Sequence, residues 1–296
     1  METHASHRSG VWWQNVEADC PERRNHTSRD SGRLQGSNGP EEGRQDSGSR
    51  GRGRQALRNI GERRSRDRAL TIQICVSVPP KTVEEAFCLI EEAEAQHADL
   101  IEVRLDSLNN HIRIAEIPSY SNTPLIATNK STENHGNFYG SEDRRQKILV
   151  DAAKNGFDYV DVDLFIPNIR KLIDDLREAG AKPIVSFHDF ERTLELSRLN
   201  LVLEEEIALG AEVCKIVTTA NQVEDNLTTL NFVSDASKKA KIVCFAMGEL
   251  GKPSRLLSPV FGAFFTFASL DEKRKTAKGQ LTIQEMRRAY ELLGLR

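Results

Sequence analysis

Lys215 lies in the run Glu-Val-Cys-Lys-Ile-Val-Thr at 212–218, a short apolar, β-branched stretch that reads as a buried strand. Lysine is seldom buried without a partner or a task. Burial disfavours the ammonium form, so the expectation is an amine pushed toward neutrality, able to attack a carbonyl and form a Schiff base. Upstream, Pro183-Ile-Val-Ser-Phe-His188-Asp-Phe is a second apolar run, and it ends in a histidine. One strand, one helix and one loop take roughly 30 residues in a βαβ unit, so His188 and Lys215 fall at equivalent ends of neighbouring parallel strands. That spacing sets a base beside a nucleophile. Each residue alone has an ordinary structural explanation, a hydrogen-bonded core histidine or a lysine whose stem snorkels to water; the pair at this spacing is what points to chemistry.

The elements that must position them recur from residue 71 onward. Apolar runs at 71–78, 100–105, 125–128, 159–164, 184–187, 213–217, 242–246 and 263–267 alternate with amphipathic stretches at 82–97, 141–155, 166–179, 194–209, 223–236 and 283–293. A poorly defined helical stretch, 112–117, follows the second strand and ends at Pro118. Thr82 and Ser141, each followed by acidic residues, open helices, and Gly156, Gly180 and Gly210 close them. Strands of near-continuous apolar character alternating with helices imply a parallel sheet covered on both faces. Eight repeats over 69–296 predict an α/β fold, a (β/α)8 barrel, as the catalytic domain. A doubly wound sheet is the alternative, but Val78-Pro-Pro-Lys81 lacks the Gly-rich turn that such a fold places after its first strand.

Barrel sites gather at the C-terminal ends of the strands, and polar residues stand there. Glu102 and Arg104 are two apart, share a face and could form an internal ion pair; Asp161 and Asp163 are spaced alike, and either pair could be purely structural. Met247 ends the seventh strand, and Gln280 follows the eighth after a charged loop, 271–279.

Residues 1–68 differ in kind. They hold fourteen arginines and no lysine, with repeated Gly, Ser, Asn and Asp and almost no aliphatic periodicity, so a disordered extension is expected. Ten interspersed acidic residues dilute its Arg-Gly character, which favours a solvated segment over a nucleic-acid-binding arm. A translation start near Leu70 is a further alternative. The extension has no apolar core of a signal peptide, and its acidic residues argue against a transit peptide. Five scattered cysteines without a CxxC pair suggest a reducing, cytoplasmic setting. No 18-residue apolar run exists to span a membrane, and the net charge of −3 points to no partner. With no HxH or HExxH and no Cys/His cluster, neither a metal nor another cofactor is expected.

In their order, five motifs resemble type I 3-dehydroquinate dehydratase over essentially all of 70–296: Leu-Ile-Glu102-Val-Arg104-Leu-Asp106, Ser-Phe-His188-Asp-Phe, Lys215-Ile-Val, Met247-Gly248 with Ser254-Arg255, and Thr266-Phe267 with Lys278-Gly279-Gln280. The resemblance implies that Lys215 condenses with the C3 ketone of 3-dehydroquinate, a small-molecule substrate of the shikimate pathway, and that His188 moves the protons. It implies Arg255 on the substrate carboxylate, Thr276 and Gln280 on a closing loop, Glu102 and Arg104 near hydroxyls, Met247 and Phe267 walling the ring, and a homodimer. The third strand departs from the family pattern of an arginine followed by Glu-Gly-Gly, reading Thr128-Asn-Lys130-Ser-Thr-Glu133-Asn134-His135-Gly136. Lys130 keeps the charge of a substrate-binding residue without the bidentate fork, and either Glu133 or Asn134 stands in for the glutamate. Thr276 replaces a serine and keeps the hydroxyl.

Another Schiff-base barrel, such as a class I aldolase, is the nearest competing activity, though Gly-rich phosphate loops after strands seven and eight are missing. A nucleic-acid binder acting through its Arg-rich tail is the competitor of a different class. Deleting residues 1–68 is expected to leave turnover unchanged. A turnover assay run beside a nucleic-acid titration at two salt concentrations checks this, since salt-sensitive binding that vanishes with the deletion would move the function to the tail.

Overall fold

The computed structural model describes residues 72–295. The 1–68 extension therefore lies outside the described residues. Eight parallel strands, β1 (Ile74–Val78), β2 (Leu100–Arg104), β3 (Leu125–Thr128), β4 (Tyr159–Asp163), β5 (Lys182–His188), β6 (Val213–Thr219), β7 (Ile242–Met247) and β8 (Thr266–Ser269), pair in the order 7-6-5-4-3-2-1-8. The residues leading into β8 meet β7 where the Phe264 N–H donates to the Ile242 carbonyl at 2.7 Å, so the sheet curls into a near-closed barrel. Helices α1 (Val83–Ala95), α2 (Glu142–Lys154), α3 (Ile169–Glu178), α4 (Leu196–Ala208), α5 (Asp225–Ala236), α6 (Lys252–Leu257) and α7 (Ile283–Leu292) surround it. The fold is the α/β barrel that the alternation implies.

The period of two in each strand sorts the side chains between two environments. One set, including Val76, Val103, Val160 and Val162, faces the helices. The other packs a floor of Cys75, Leu100, Ile126, Tyr159, Ile184, Val213 and Phe265 inside the barrel. Two residues further along the same faces come the polar positions, Ser77, Glu102, Thr128, Asp161, Ser186 and Lys215, all buried. An apolar plug thus holds a polar layer at the mouth, away from water below.

Local signals set the helix ends. Thr82 and Ser141 accept from the Glu85 and Arg144 N–H groups, and Thr282 forms a capping box with Glu285. Two segments differ from the sequence expectation. The stretch after β2 is not an α-helix but two 3₁₀ turns, Ile114–Glu116 and Pro118–Tyr120, because Pro118 has no N–H to continue the first. The segment after β7, to which the sequence pattern assigns no element, contains α6, whose six residues are too few to show a period. β8 also lies three residues later than expected, since the aromatic run 264–267 straddles its start.

Over the mouth lies the segment 271–280. Its Asp271 carboxylate caps the Lys273 and Arg274 N–H groups, Arg274 reaches Glu92 on α1 at 2.6 Å, and the Lys278 carbonyl accepts from the Gly248 N–H. Gly279, at φ +72°, packs against Gly248 so tightly that a Cβ would fall 2.0 Å from the Gly248 carbonyl oxygen. Gly279→Ala is expected to displace this segment from the mouth, lowering kcat/KM roughly tenfold or more. Tm should fall by no more than about 4 °C, because the barrel itself is untouched; steady-state kinetics beside a thermal melt checks both.

Candidate active site

The mouth of the barrel encloses a cavity of about 360 Å³. All ten residues singled out from the sequence line it: Glu102 and Arg104 from β2, Lys130 from the loop after β3, His188 from β5, Lys215 from β6, Met247 from β7, Arg255 from α6, Phe267 from β8, and Thr276 and Gln280 from the covering segment. Ser186 lies in register with Lys215, and His188 with Val217, so the imidazole stands one layer above the amine on the adjacent strand.

The amine is not free. Lys215 Nζ donates to Asp161 Oδ2 at 2.7 Å, lies 3.6 Å from Glu102 Oε1 and sits 4.4 Å from the centre of the Phe267 ring. Burial alone would depress its pKa, as the sequence suggests, but the Asp161 and Glu102 charges outweigh burial and hold it above the ordinary lysine value. The expectation of a neutral resting amine is thereby corrected: Lys215 rests as an ammonium. Asp161 shows the converse balance. Burial would raise its pKa, yet the Lys130 and Lys215 ammoniums drive it well below the usual carboxylate range.

Lys130 is the second cation on that carboxylate. Its Nζ donates to Asp161 Oδ1 at 2.7 Å and Ser186 Oγ at 2.8 Å, and makes a close contact with Asp163 Oδ1. Ser186 Oγ in turn donates to Asp161 Oδ1 at 2.7 Å. Arg145 reaches in from α2 to Asp163 Oδ2 at 3.1 Å and to the Asn129 carbonyl at 2.6 Å. Three buried cations, Lys130, Arg145 and Lys215, thus face four carboxylates, Asp161, Asp163, Glu102 and, beside Arg145 on α2, Glu142.

The Glu102–Arg104 ion pair considered from the sequence does not form. The 3₁₀ turn Leu105–Ser107 brings Asp106 back beside the guanidinium, which binds it in a fork at 2.8 and 2.7 Å. Glu102 sits deeper and accepts from Ser77 and from Thr128, the latter at 2.9 Å. The Asp161 and Asp163 carboxylates share Lys130.

His188 has a different setting. Its ring stacks on Phe190, 5.6 Å between centres and 11° from parallel. Burial, reinforced by the Lys130 and Lys215 charges, pushes its pKa well below the ordinary histidine value, so the imidazole is neutral near pH 7 and can accept a proton. His135, at φ +56°, closes on the same Phe190 at 4.0 Å. Of the two residues considered for the glutamate position, Asn134 lines the cavity and Glu133 does not.

Arg255 is the site's outlying charge. It is 1 % exposed, lies 4.0 Å over the Phe245 ring, and its Nε and Nη2 have no hydrogen-bond partner among the described residues. Burial draws it down to about 9, still protonated at neutral pH. A guanidinium buried without an anion is a seat for an acidic ligand. Gln280 Oε1 accepts from the Thr276 N–H at 2.8 Å and its hydroxyl at 3.3 Å, tying the cover together.

The fold and its mouth define a (β/α)8 barrel whose internal cavity joins a buried amine, a neutral imidazole and an unpaired guanidinium. A model of the type I 3-dehydroquinase family matches residues 74–296. The 3-dehydroquinate dehydratase of Methanococcus maripaludis is 34 % identical over 222 residues, covering 74 % of this chain and 99 % of the relative. That of Dehalococcoides mccartyi is 36 % identical over 197 residues, covering 67 % and 87 %. The crystal structure of type I 3-dehydroquinate dehydratase from Clostridium difficile, with covalently modified comenic acid, superposes with a TM-score of 0.69 at 26 % identity, over 75 % of this chain and 92 % of that one. The chain belongs to the type I 3-dehydroquinase family and is a lyase of the 3-dehydroquinate dehydratase type.

The strand periodicity places Asp161 beside Asp163 and Ser186 beside His188 without showing what they bind, and it does not point to Arg145 or Phe190. A signal existed for Asp161 and Ser186, which share lumen faces with Asp163 and His188. None existed for Arg145, an ordinary charge in a polar helix.

Asp161 and Arg255 should respond very unequally to neutralisation. Asp161→Asn leaves two buried ammoniums without their shared anion and is expected to cost about 3–5 kcal/mol. Arg255→Met replaces an unpaired cation with an apolar chain over Phe245 and is expected to change stability by no more than about 1 kcal/mol. Urea unfolding of the two variants checks both.

Proposed function

We propose that the protein dehydrates 3-dehydroquinate to 3-dehydroshikimate through an imine on Lys215, within the shikimate pathway. The observation that carries this reading is the meeting, in one small cavity, of an internal lysine and a buried guanidinium lacking an anion, the two partners that a keto acid needs. The Arg255 guanidinium receives the carboxylate and sets the ring over Lys215, between Phe267 and Met247.

Lys215 must lose a proton before it attacks. Asp161 is a poor acceptor, since two ammoniums hold it as an anion; His188, neutral and lining the same cavity, is the better one. The amine adds to the C3 ketone, the imidazolium returns the proton to the carbinolamine hydroxyl, and water leaves to give the iminium with His188 neutral again. That cation draws electrons from C2, whose proton His188 removes. The resulting enamine expels the C1 hydroxyl as the imidazolium returns its proton, so water leaves and His188 is restored. A second water hydrolyses the imine and releases product. Glu102 and Asp161 face the iminium as they faced the ammonium, so the positive charge stays balanced through the cycle.

Arg104 at the rim and the Thr276–Gln280 pair are proposed to meet the substrate's hydroxyl and carboxylate oxygens as the cover closes. No cofactor takes part in this scheme. A homodimer and a cytoplasmic setting belong to the same proposal, supported by family membership. No helix among the described residues is long and apolar enough to cross a membrane.

Incubation with 3-dehydroquinate and borohydride, followed by peptide mapping, is expected to find a ligand-sized adduct on Lys215. His188→Ala should still form that adduct while turnover falls by roughly 10²-fold or more. An unmodified Lys215 in folded protein would refute the imine.

A further inference from the structure

The residue at the family's arginine position has a different occupation here. Lys130 lines the cavity, yet only 6 % of it is exposed. An ammonium has three hydrogens to donate. Its three acceptors, Asp161, Asp163 and Ser186, all belong to the protein, so none of those hydrogens remains for a ligand. The backbone holds it there. Its N–H donates to Asp106 Oδ1 at 3.3 Å, its carbonyl accepts from the Phe138 N–H at 3.2 Å, and Gly136 approaches so closely that a Cβ would lie 2.1 Å from that carbonyl oxygen.

The consequence falls on Lys215. Asp161 divides its two oxygens: Oδ1 takes Lys130 and Ser186, and Oδ2 takes Lys215. Lys130 therefore fixes the carboxylate plane that aims Oδ2 at the amine. It also competes for the same charge. Asp161 on β4, Glu102 on β2 and Cys75 on β1 act on Lys215 directly, Lys130 after β3 reaches it across the shared Asp161 carboxylate, His188 on β5 and Arg255 on α6 line the same cavity, Glu206 on α4 lies beside its backbone, and Arg104 at the rim is already paired to Asp106; β8 offers only the Phe267 ring. Against two carboxylates, Lys130 is the cation wedged into that shell, and like charge favours the neutral amine.

We propose that Lys130 is a positioning residue: it does not touch substrate, but orients Asp161 and opposes the carboxylates' hold on the Lys215 proton. The proposal rests on Lys215 being the amine that must be deprotonated for reaction, and it assigns to Lys130 a task unlike the substrate contact that its place in the third strand suggests. An arginine fork would span two acceptors in one plane, whereas a point charge can meet three converging oxygens.

The test reads Lys215 without substrate. Full-length protein is acetylated with trace acetic anhydride across a pH series, and modification of Lys215 is followed by peptide mapping. In Lys130→Met the Lys215 titration is expected to move up by about one pH unit or more, while Lys130→Arg, which keeps the charge, returns it toward wild type. With 3-dehydroquinate, the acid limb of kcat/KM should move the same way in Lys130→Met while KM changes by less than about threefold. An unmoved Lys215 titration in folded Lys130→Met overturns the proposal. So does a KM raised about tenfold or more with the titration unchanged, which would make Lys130 a substrate contact. Should Lys130→Met not fold, Lys130→Gln removes the charge while keeping amide donors for Asp163 and Ser186, and the same criteria apply. Wild-type protein inactive on 3-dehydroquinate would sink the proposed reaction, and the acetylation titration alone would then decide the role of Lys130.

Discussion

The site depends on one carboxylate held between two ammoniums. Asp161 is fully buried, and a lone anion there would be protonated; Lys130 and Lys215, each 2.7 Å away on opposite oxygens, keep it charged. The dependence is mutual, since it is the anion both lysines share, with Asp163 a second partner of Lys130 and Glu102 of Lys215. Ser186, Asp163 and Arg145 extend the arrangement to α2 and β5, so the catalytic layer is cross-braced by charge as well as by strand pairing. Buried networks of this kind contribute little net stability relative to an apolar core, but breaking one member is expensive. The apolar floor beneath supplies the stability; the charged layer fixes geometry.

Arg255 breaks that pattern. Lys130, Arg145 and Lys215 each have an acidic partner, whereas this guanidinium rests on the Phe245 ring with two nitrogens unsatisfied among the described residues. Such a group raises the free energy of the empty site, and an incoming carboxylate relieves it. The balanced layer and the unbalanced guanidinium have separate tasks. The first preserves charge neutrality around the amine as an iminium replaces an ammonium. The second leaves one positive charge uncompensated and so selects an acid.

Neutral His188 completes the division of labour. Burial, reinforced by the Lys130 and Lys215 charges, depresses its pKa, while the Asp161 and Glu102 carboxylates raise that of Lys215 against burial. Burial and this one cluster of charges together set the amine and the imidazole in complementary states, cation and free base, across adjacent strands.

Much of this arrangement was legible in the chain. Alternation of short apolar runs with amphipathic stretches determines the barrel, because each element's period states which face it buries, and the period of two places Glu102, Asp161, Ser186, His188 and Lys215 in the lumen. The juxtaposition of His188 with Lys215 follows from spacing alone. What the chain could not state is which lumen charges meet. Asp161 lies 54 residues before Lys215 and two strands away, and only barrel curvature brings its carboxylate across. The same holds for the short-range choice of Arg104, which abandons Glu102 for Asp106 once a 3₁₀ turn folds that carboxylate back. Sequence determined which residues occupy the mouth; the tertiary structure decided their partners and hence their protonation. The reason is physical: burial acts on each residue in its own strand, whereas Coulomb interactions depend on distances that exist only after the sheet has curled.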